Sequence, residues 1–173
     1  MANGLYRLDE FRDNCGFGLI AHTKGEGSHR LLQTAIQALT CMTHRGGIAA
    51  DGKTGDGCGL LIQKPDAFLR SVAKEACATN LPELYAVGVM MLNQDTGYRT
   101  RSKHVVAEEL ARQGLELAGW RVVPTNPECL GPIALETVPV IEHLFIAAPE
   151  GMADKQFDAR LFIARRHIEN RLA

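Results

Sequence analysis

Short apolar runs of strand character alternate along this chain with longer segments of helical periodicity. The strand-like runs have apolar residues at alternating or consecutive positions, and they lie at 15–22, 60–63, 84–92, 115–123 and 140–147. The helical segments repeat apolar residues every three or four positions, and they lie at 28–45, from Pro65 to Ala76, at 98–113 and at 154–172. This alternation predicts a layered α/β or α+β fold. Because the run at 84–92 is almost continuously apolar, we expect it to form a central strand.

The segment at 28–45 has the clearest helix boundaries. Ser28 precedes it with a side chain that can cap the first amides, and the Gly46-Gly47 pair ends it. Its apolar residues form one stripe, on which we expect Cys41 to be buried. Five glycines between positions 47 and 59 then predict a loop before the next strand-like run.

Composition and charge exclude several classes of function. The 173 residues fit one medium domain, and the net charge of −1 gives no electrostatic basis for binding nucleic acid or an anionic membrane surface. No apolar run approaches the roughly 18 residues that a membrane helix needs. The N-terminus also lacks the apolar core of a secretory signal. The sequence therefore predicts a soluble cytoplasmic protein with neither nucleic acid nor membrane among its partners.

The cysteines and histidines do not have the spacing of metal ligands. Five cysteines are present, and no two of them form a C-x-x-C pair. Five of the six histidines also lack ligand spacing, and the sixth belongs to a motif described next. The five are His22, His29, His104, His143 and His167. We therefore expect free thiols and no metal site.

Three short motifs in the first sixty residues carry the functional signal. They are CGFG at 15–18, HRG at 44–46 and TGDG at 54–57. From the residues alone, Cys15 could be a buried strand cysteine, and Arg45 could be a cation that stabilises the C-terminus of the first helix. The TGDG loop lacks the order G-x-x-x-x-G-K-[ST], so we expect no nucleotide there.

Together, these motifs resemble the start of the class II glutamine amidotransferase domain. Within that family, the chain is similar over nearly its whole length to the N-terminal segment of the large subunit of bacterial NADPH-dependent glutamate synthase. The resemblance implies part of the four-layer α/β/β/α sandwich of the N-terminal nucleophile hydrolases. It also implies a leader peptide at 1–14, followed at 15–173 by the N-terminal part of an incomplete amidotransferase domain.

The resemblance also implies a chemistry. Cys15 would be the nucleophile, and its own α-amine, freed when the leader is removed, would be the general base. The carbonyl of Gly46 would hold that amine, and Arg45 would help to order the site. The substrate would be L-glutamine, hydrolysed through a thioester to glutamate and ammonia. The ammonia would then aminate 2-oxoglutarate in glutamate biosynthesis.

Cofactors and further partners are implied only for the complete enzyme. No cofactor is expected in this segment, whereas FMN, an iron–sulfur cluster and NADPH would belong to later domains. The expected protein partners are the remainder of the large subunit and the small NADPH-oxidising subunit. Two later family segments, resembling HQRFST and NGEIN, supply the glutamine clamp and the oxyanion hole and do not occur in this sequence. We therefore expect a truncated sandwich that is inactive alone.

Two other interpretations of the sequence stay open. One is a catalytically silent, truncated α/β remnant that acts, if at all, through protein partners. The other is a redox-active thiol protein that uses Cys15, although no resolving cysteine lies nearby in the sequence.

Overall fold

A computed structural model describes residues 16–42 and 46–173 of the chain. The chain divides into two compact units. The first comprises the described residues up to Ile62 together with Leu130–Ala134. The second comprises Gln63–Cys129 and Leu135–Ala173.

The second unit is built on a three-stranded antiparallel sheet. Its strands are β1 (Tyr85–Leu92), β2 (Glu116–Val122) and β3 (Val140–Ala147), in the order β1-β3-β2. The expectation that 84–92 forms a central strand is wrong for this sheet. β3 has the longer run of buried residues, and it takes the middle position, where both of its edges are paired.

Helices cover both faces of this sheet. On one face, α3 (Thr96–Arg112) and α5 (Asp154–Leu172) form a core with the sheet, and α2 (Asp66–Cys77) forms a second core on the other face. Side chains along β3 alternate between the two cores, as strand geometry requires, so that Leu144 joins the first and Phe145 joins the second. This arrangement confirms the predicted α/β (α+β) class.

β2 contains a bulge against which α2 packs. The register with β3 shifts between Leu117 and Gly119, and Gly119 has a φ of +156°, which glycine adopts readily. A Cβ atom on Gly119 would lie 2.6 Å from the Sγ atom of Cys77. The Cys77 thiol also donates a hydrogen bond to the carbonyl of Trp120 at 3.2 Å. Glycine at this position therefore permits the close approach of α2 to the strand.

The first unit contains the predicted helix, α1 (His29–Cys41). Ser28 caps it, because its Oγ atom accepts a hydrogen bond from the Leu31 amide at 3.2 Å. No residue of this helix is buried, so the expectation that Cys41 lies in a core is wrong, and its side chain is exposed. An apolar helical stripe is buried only where a second surface packs against it, and none encloses α1 among the described residues of this unit.

Two predicted strands do not form in the described part of the chain. Residues 16–22 and 60–63 have no strand structure, and Phe17 and Leu19 are 94% and 89% exposed. A run of apolar residues becomes a strand only when a neighbouring strand satisfies its N–H and C=O groups. Such a neighbour is missing for both runs within the described residues.

The remaining elements lie between β2 and β3. The chain there forms a 3₁₀ turn at Pro127–Cys129 and the short helix α4 (Pro132–Thr137). Within residues 16–42 and 46–173, no helix has the length and apolarity to cross a lipid bilayer. In the same ranges, no three or more His, Cys, Asp or Glu side chains gather as ligands of one metal ion.

Candidate active site

The glycine-rich loop at 46–57 folds back on itself as a small hairpin. Ile48 and Gly55 form an isolated antiparallel bridge. The Ala49 amide donates a hydrogen bond to the carbonyl of Thr54 at 2.7 Å. The TGDG motif therefore forms the returning arm of this hairpin, opposite the residues that follow the HRG motif.

Asp56, the acidic residue of the TGDG motif, is bound to Gly47 in two ways. Its Oδ2 atom accepts a hydrogen bond from the Gly47 amide at 2.7 Å. Its own amide donates to the carbonyl of Gly47 at 3.2 Å. Because both polar groups of Gly47 are occupied, the backbone immediately after Gly46 is held in one orientation.

Asp51 closes the turn of the hairpin. Its Oδ1 atom accepts hydrogen bonds from the amides of Lys53 at 3.0 Å and Thr54 at 2.8 Å, and its Oδ2 atom accepts one from the Thr54 hydroxyl at 2.5 Å. These hydrogen bonds hold the pKa of Asp51 well below its usual range; the Thr54 hydroxyl has the largest effect, and the two amides have smaller ones. Asp51 is therefore a charged acceptor at neutral pH. Gly52 provides the left-handed residue of the turn, with a φ of +68°.

This turn is tied to the beginning of α4 within the first unit. The Ile133 amide donates to Oδ2 of Asp51 at 3.4 Å, and the Ala134 amide donates to Oγ1 of Thr54 at 3.3 Å. These are amides of the first helical turn, which have no partner inside a helix. Gly131, just before them, is packed so closely that a Cβ atom added there would lie 2.2 Å from Oγ1 of Thr54. The hairpin turn, Gly131 and the first turn of α4 thus form one local cluster.

The structure describes one of the three residues predicted to form the site. Gly46 is exposed at the start of the hairpin. Cys15 and Arg45 lie outside the described residues, so their positions relative to Gly46 stay predictions. Cys58, which follows the TGDG motif, is exposed.

Comparison with known protein families covers almost the whole chain. Residues 15–173 match the family described as "Glutamine amidotransferases class-II". The chain belongs to the class II glutamine amidotransferases. The family resemblance predicted from the three motifs is thereby confirmed.

The relatives of this amidotransferase include several glutamate synthases. The glutamate synthase [NADPH] large chain of Bacillus subtilis (strain 168) is 37% identical over 172 residues, which are 98% of this chain and 11% of the relative. Ferredoxin-dependent glutamate synthase 2 of Synechocystis sp. is 39% identical over 170 residues, which are 96% of this chain and 11% of the relative. The chain therefore spans about a tenth of the length of these curated relatives.

In this amidotransferase, sequence reasoning found the glycine-rich loop but missed the residues that shape it. Asp51 carries a local signal, because an aspartate shortly before a glycine and a threonine favours a turn closed by its own side chain. Asp56 belongs to the TGDG motif, but nothing in the sequence predicts its contact with Gly47, and Gly131 carries no local signal. Next to Gly131, the hydrogen bonds of Ile133 and Ala134 go to residues 82 and 80 positions away along the chain. No periodic pattern in the sequence connects such distant positions.

Proposed function

We propose that this chain forms the glutamine-hydrolysing part of a glutamate synthase, with Cys15 as its nucleophile. The proposal is carried by the family match, which begins at Cys15 and includes all three motifs. The observed backbone around Gly46 supports it. The peptide that would hold the α-amine of Cys15 belongs to a hairpin stabilised by Asp56 on one side and by the Asp51 turn on the other.

The proposed reaction begins when residues 1–14 are removed. While Asn14 is attached, the nitrogen of Cys15 is an amide and cannot accept a proton. The freed α-amine has an ordinary pKa of about 7.7–8.0, so a useful fraction is neutral near pH 7. It takes the proton of the Cys15 thiol, whose ordinary pKa is about 8.5. Removal of the leader therefore creates the general base and activates the nucleophile in the same step.

The thiolate then attacks the side-chain amide carbon of L-glutamine. The C–N bond breaks, the leaving nitrogen takes the proton from the α-ammonium group, and ammonia departs from a γ-glutamyl thioester. Water next attacks the thioester and gives a proton to the α-amine. The C–S bond breaks, glutamate leaves, and the sulfur recovers its proton. In this scheme, the carbonyl of Gly46 accepts a hydrogen bond from the α-amine of Cys15, and Arg45 helps to order the site.

The wider role follows from the glutamate synthase relatives. We infer that the ammonia aminates 2-oxoglutarate in later domains of a complete cytoplasmic enzyme, which would carry FMN and an iron–sulfur cluster. NADPH is the proposed electron source, and a small subunit would oxidise it and pass on its electrons. The Bacillus subtilis relative has NADPH in its name, whereas the Synechocystis relative has ferredoxin. Oxidation of NADPH by the complete enzyme, compared with oxidation of reduced ferredoxin, tests this part separately.

The nucleophile is tested by Cys15→Ala in the complete enzyme. Glutamine-dependent glutamate formation should be lost, while formation from added ammonia should persist, because Cys15 only generates the ammonia. N-terminal sequencing of the active enzyme should begin at Cys15. Cys41→Ala is the matched control, since the Cys41 side chain is exposed on α1 and has no assigned role. It should leave both activities unchanged.

Chemical labelling gives an independent readout. The side chains of Cys41, Cys58 and Cys129 are exposed, so a general thiol reagent would be expected to reach them too. A glutamine-like electrophile should label Cys15 alone, and free glutamine should protect it. Equal loss of activity in Cys15→Ala and Cys41→Ala, or an active enzyme that still starts at Met1, would contradict the proposal.

A further inference from the structure

The amide of Gly47 and the carbonyl of Gly46 belong to the same peptide group. Its amide end is occupied, because Gly47 donates to Oδ2 of Asp56 at 2.7 Å. We propose that Asp56 is a positioning residue that sets the direction of the Gly46 carbonyl in the active site. This inference rests on the function proposed above, in which that carbonyl accepts a hydrogen bond from the α-amine of Cys15.

Peptide geometry makes the link direct. The six atoms of a trans peptide lie close to one plane, and the N–H and C=O bonds point in opposite directions. The peptide between Gly46 and Gly47 is trans. When Asp56 fixes the direction of the Gly47 N–H, it therefore fixes the direction of the Gly46 C=O as well. Two successive glycines would otherwise allow this peptide a wide range of orientations.

The Asp56 side chain is itself held in place. Its backbone amide donates to the carbonyl of Gly47 at 3.2 Å, so backbone and side chain contact the same residue. The neighbouring bridge between Ile48 and Gly55 continues this pairing. A Cβ atom on Gly55 would lie 3.3 Å from the Gly47 carbonyl oxygen, a close contact that confirms how tightly the arms approach. The carboxylate therefore reaches Gly47 from a defined position.

The charge of Asp56 adds to its geometric effect. A hydrogen bond from an amide to a carboxylate is stronger than one to a neutral acceptor, and it polarises the donating peptide. The Gly46 oxygen becomes a better acceptor as a result. The other carboxylate of the hairpin, Asp51, is engaged by its own turn and by Ile133, so it does not replace Asp56 at Gly47.

Two substitutions in the complete enzyme separate orientation from charge. Asp56→Ala removes the acceptor, and kcat for glutamine-dependent glutamate formation should fall by about 10- to 100-fold, the size expected when a reacting group is misplaced by about 1 Å. KM for glutamine should change little. Asp56→Asn keeps an oxygen acceptor for the Gly47 amide, so its kcat should stay within a few-fold of the wild type.

The pH profile provides a readout that a purely structural role would not move. The acid limb of the pH profile of kcat/KM reports the pKa of the general base, which is here the α-amine of Cys15. Loss of the Asp56 charge disfavours the protonated amine, so the limb should move to lower pH in both Asp56→Ala and Asp56→Asn. Glu26→Ala, which removes an exposed acid from the same unit, is the matched control and should change neither kcat nor the limb.

The outcomes distinguish this inference from the proposed function. If Cys15→Ala abolishes glutamine-dependent activity while Asp56→Ala keeps the wild-type kcat and acid limb, the positioning role is wrong and the nucleophile assignment stands. If Asp56→Ala and Asp56→Asn lose activity equally with an unmoved limb, Asp56 is only structural and the inference is overturned. If Cys15→Ala retains full glutamine-dependent activity, the proposed function fails first.

Discussion

Replacing Gly131 with alanine tests whether the hairpin turn packs tightly against the beginning of α4. The new Cβ atom would lie 2.2 Å from Oγ1 of Thr54, 2.6 Å from Oδ2 of Asp51 and 2.6 Å from the backbone nitrogen of Thr54. A side chain can rotate away from such a contact. A backbone atom cannot, so the hairpin turn itself must move.

The expected cost is dominated by this steric conflict. Overpacking of a close contact typically destabilises a protein by about 1–3 kcal/mol. A well-formed hydrogen bond contributes about 0.5–1.5 kcal/mol. The bonds from Ile133 and Ala134 to the turn are long, at 3.4 and 3.3 Å, so breaking them adds less. We therefore expect Gly131→Ala to lower the free energy of unfolding by about 2 kcal/mol.

Thermal unfolding of the chain and hydrogen exchange measure this loss. In domains of 150–250 residues, a loss of about 2 kcal/mol lowers Tm by about 4–8 °C. The amides of Ile133 and Ala134 should also exchange faster, since they lose their partners in the turn. Gly57→Ala is the matched control in the same unit, because an added Cβ there meets nothing within 4 Å. It should change stability by less than about 1 kcal/mol.

Equal Tm values and equal exchange rates for Gly131→Ala and Gly57→Ala would refute this reasoning. A double substitution gives a sharper test. Thr54→Ala in the Gly131→Ala background removes the contact at 2.2 Å but leaves the one with the Thr54 nitrogen at 2.6 Å. The pair should therefore cost less than the sum of the two single changes. Additive costs would mean that the two residues do not clash.

Two further predictions concern the second unit. Gly119→Ala should destabilise the chain by about 1–3 kcal/mol, as measured by urea denaturation. Adding Cys77→Ala should restore only part of this loss, because the contact with the Cβ atom of residue 77, at 2.8 Å, remains. Additive effects of the two substitutions would contradict this prediction. Burial, helped by the hydrogen bond to Asp66, raises the pKa of Tyr85 to about 12. Because the folded state then keeps a proton that the unfolded state releases, stability should fall as pH rises from about 10 to about 12. Urea denaturation at several pH values should show a smaller fall in Tyr85→Phe and an unchanged fall in Tyr98→Phe. Equal slopes of stability against pH in the two variants would refute this prediction.

The sequence by itself determined the elements whose signals are local. The helical periodicity of residues 98–113 and 154–172 predicted α3 and α5, and Ser28 predicted the beginning of α1. Each of these signals depends on residues within a few positions of one another, along one helix face or at one cap. The three motifs also identified the family, because their residue types and order are visible without any folding.

The tertiary structure alone decided which segments become partners. The runs at 16–22 and 60–63 have strand-like composition, yet neither forms a strand among the described residues, while β3 takes the centre of the sheet. The contact between Asp51 and Ile133 joins positions 82 residues apart. Local periodicity specifies which face of a segment is apolar, but pairing depends on which other segment the folded chain brings opposite it. The contact of Asp56 with Gly47 was hidden for the same reason, since it exists only once the hairpin has closed.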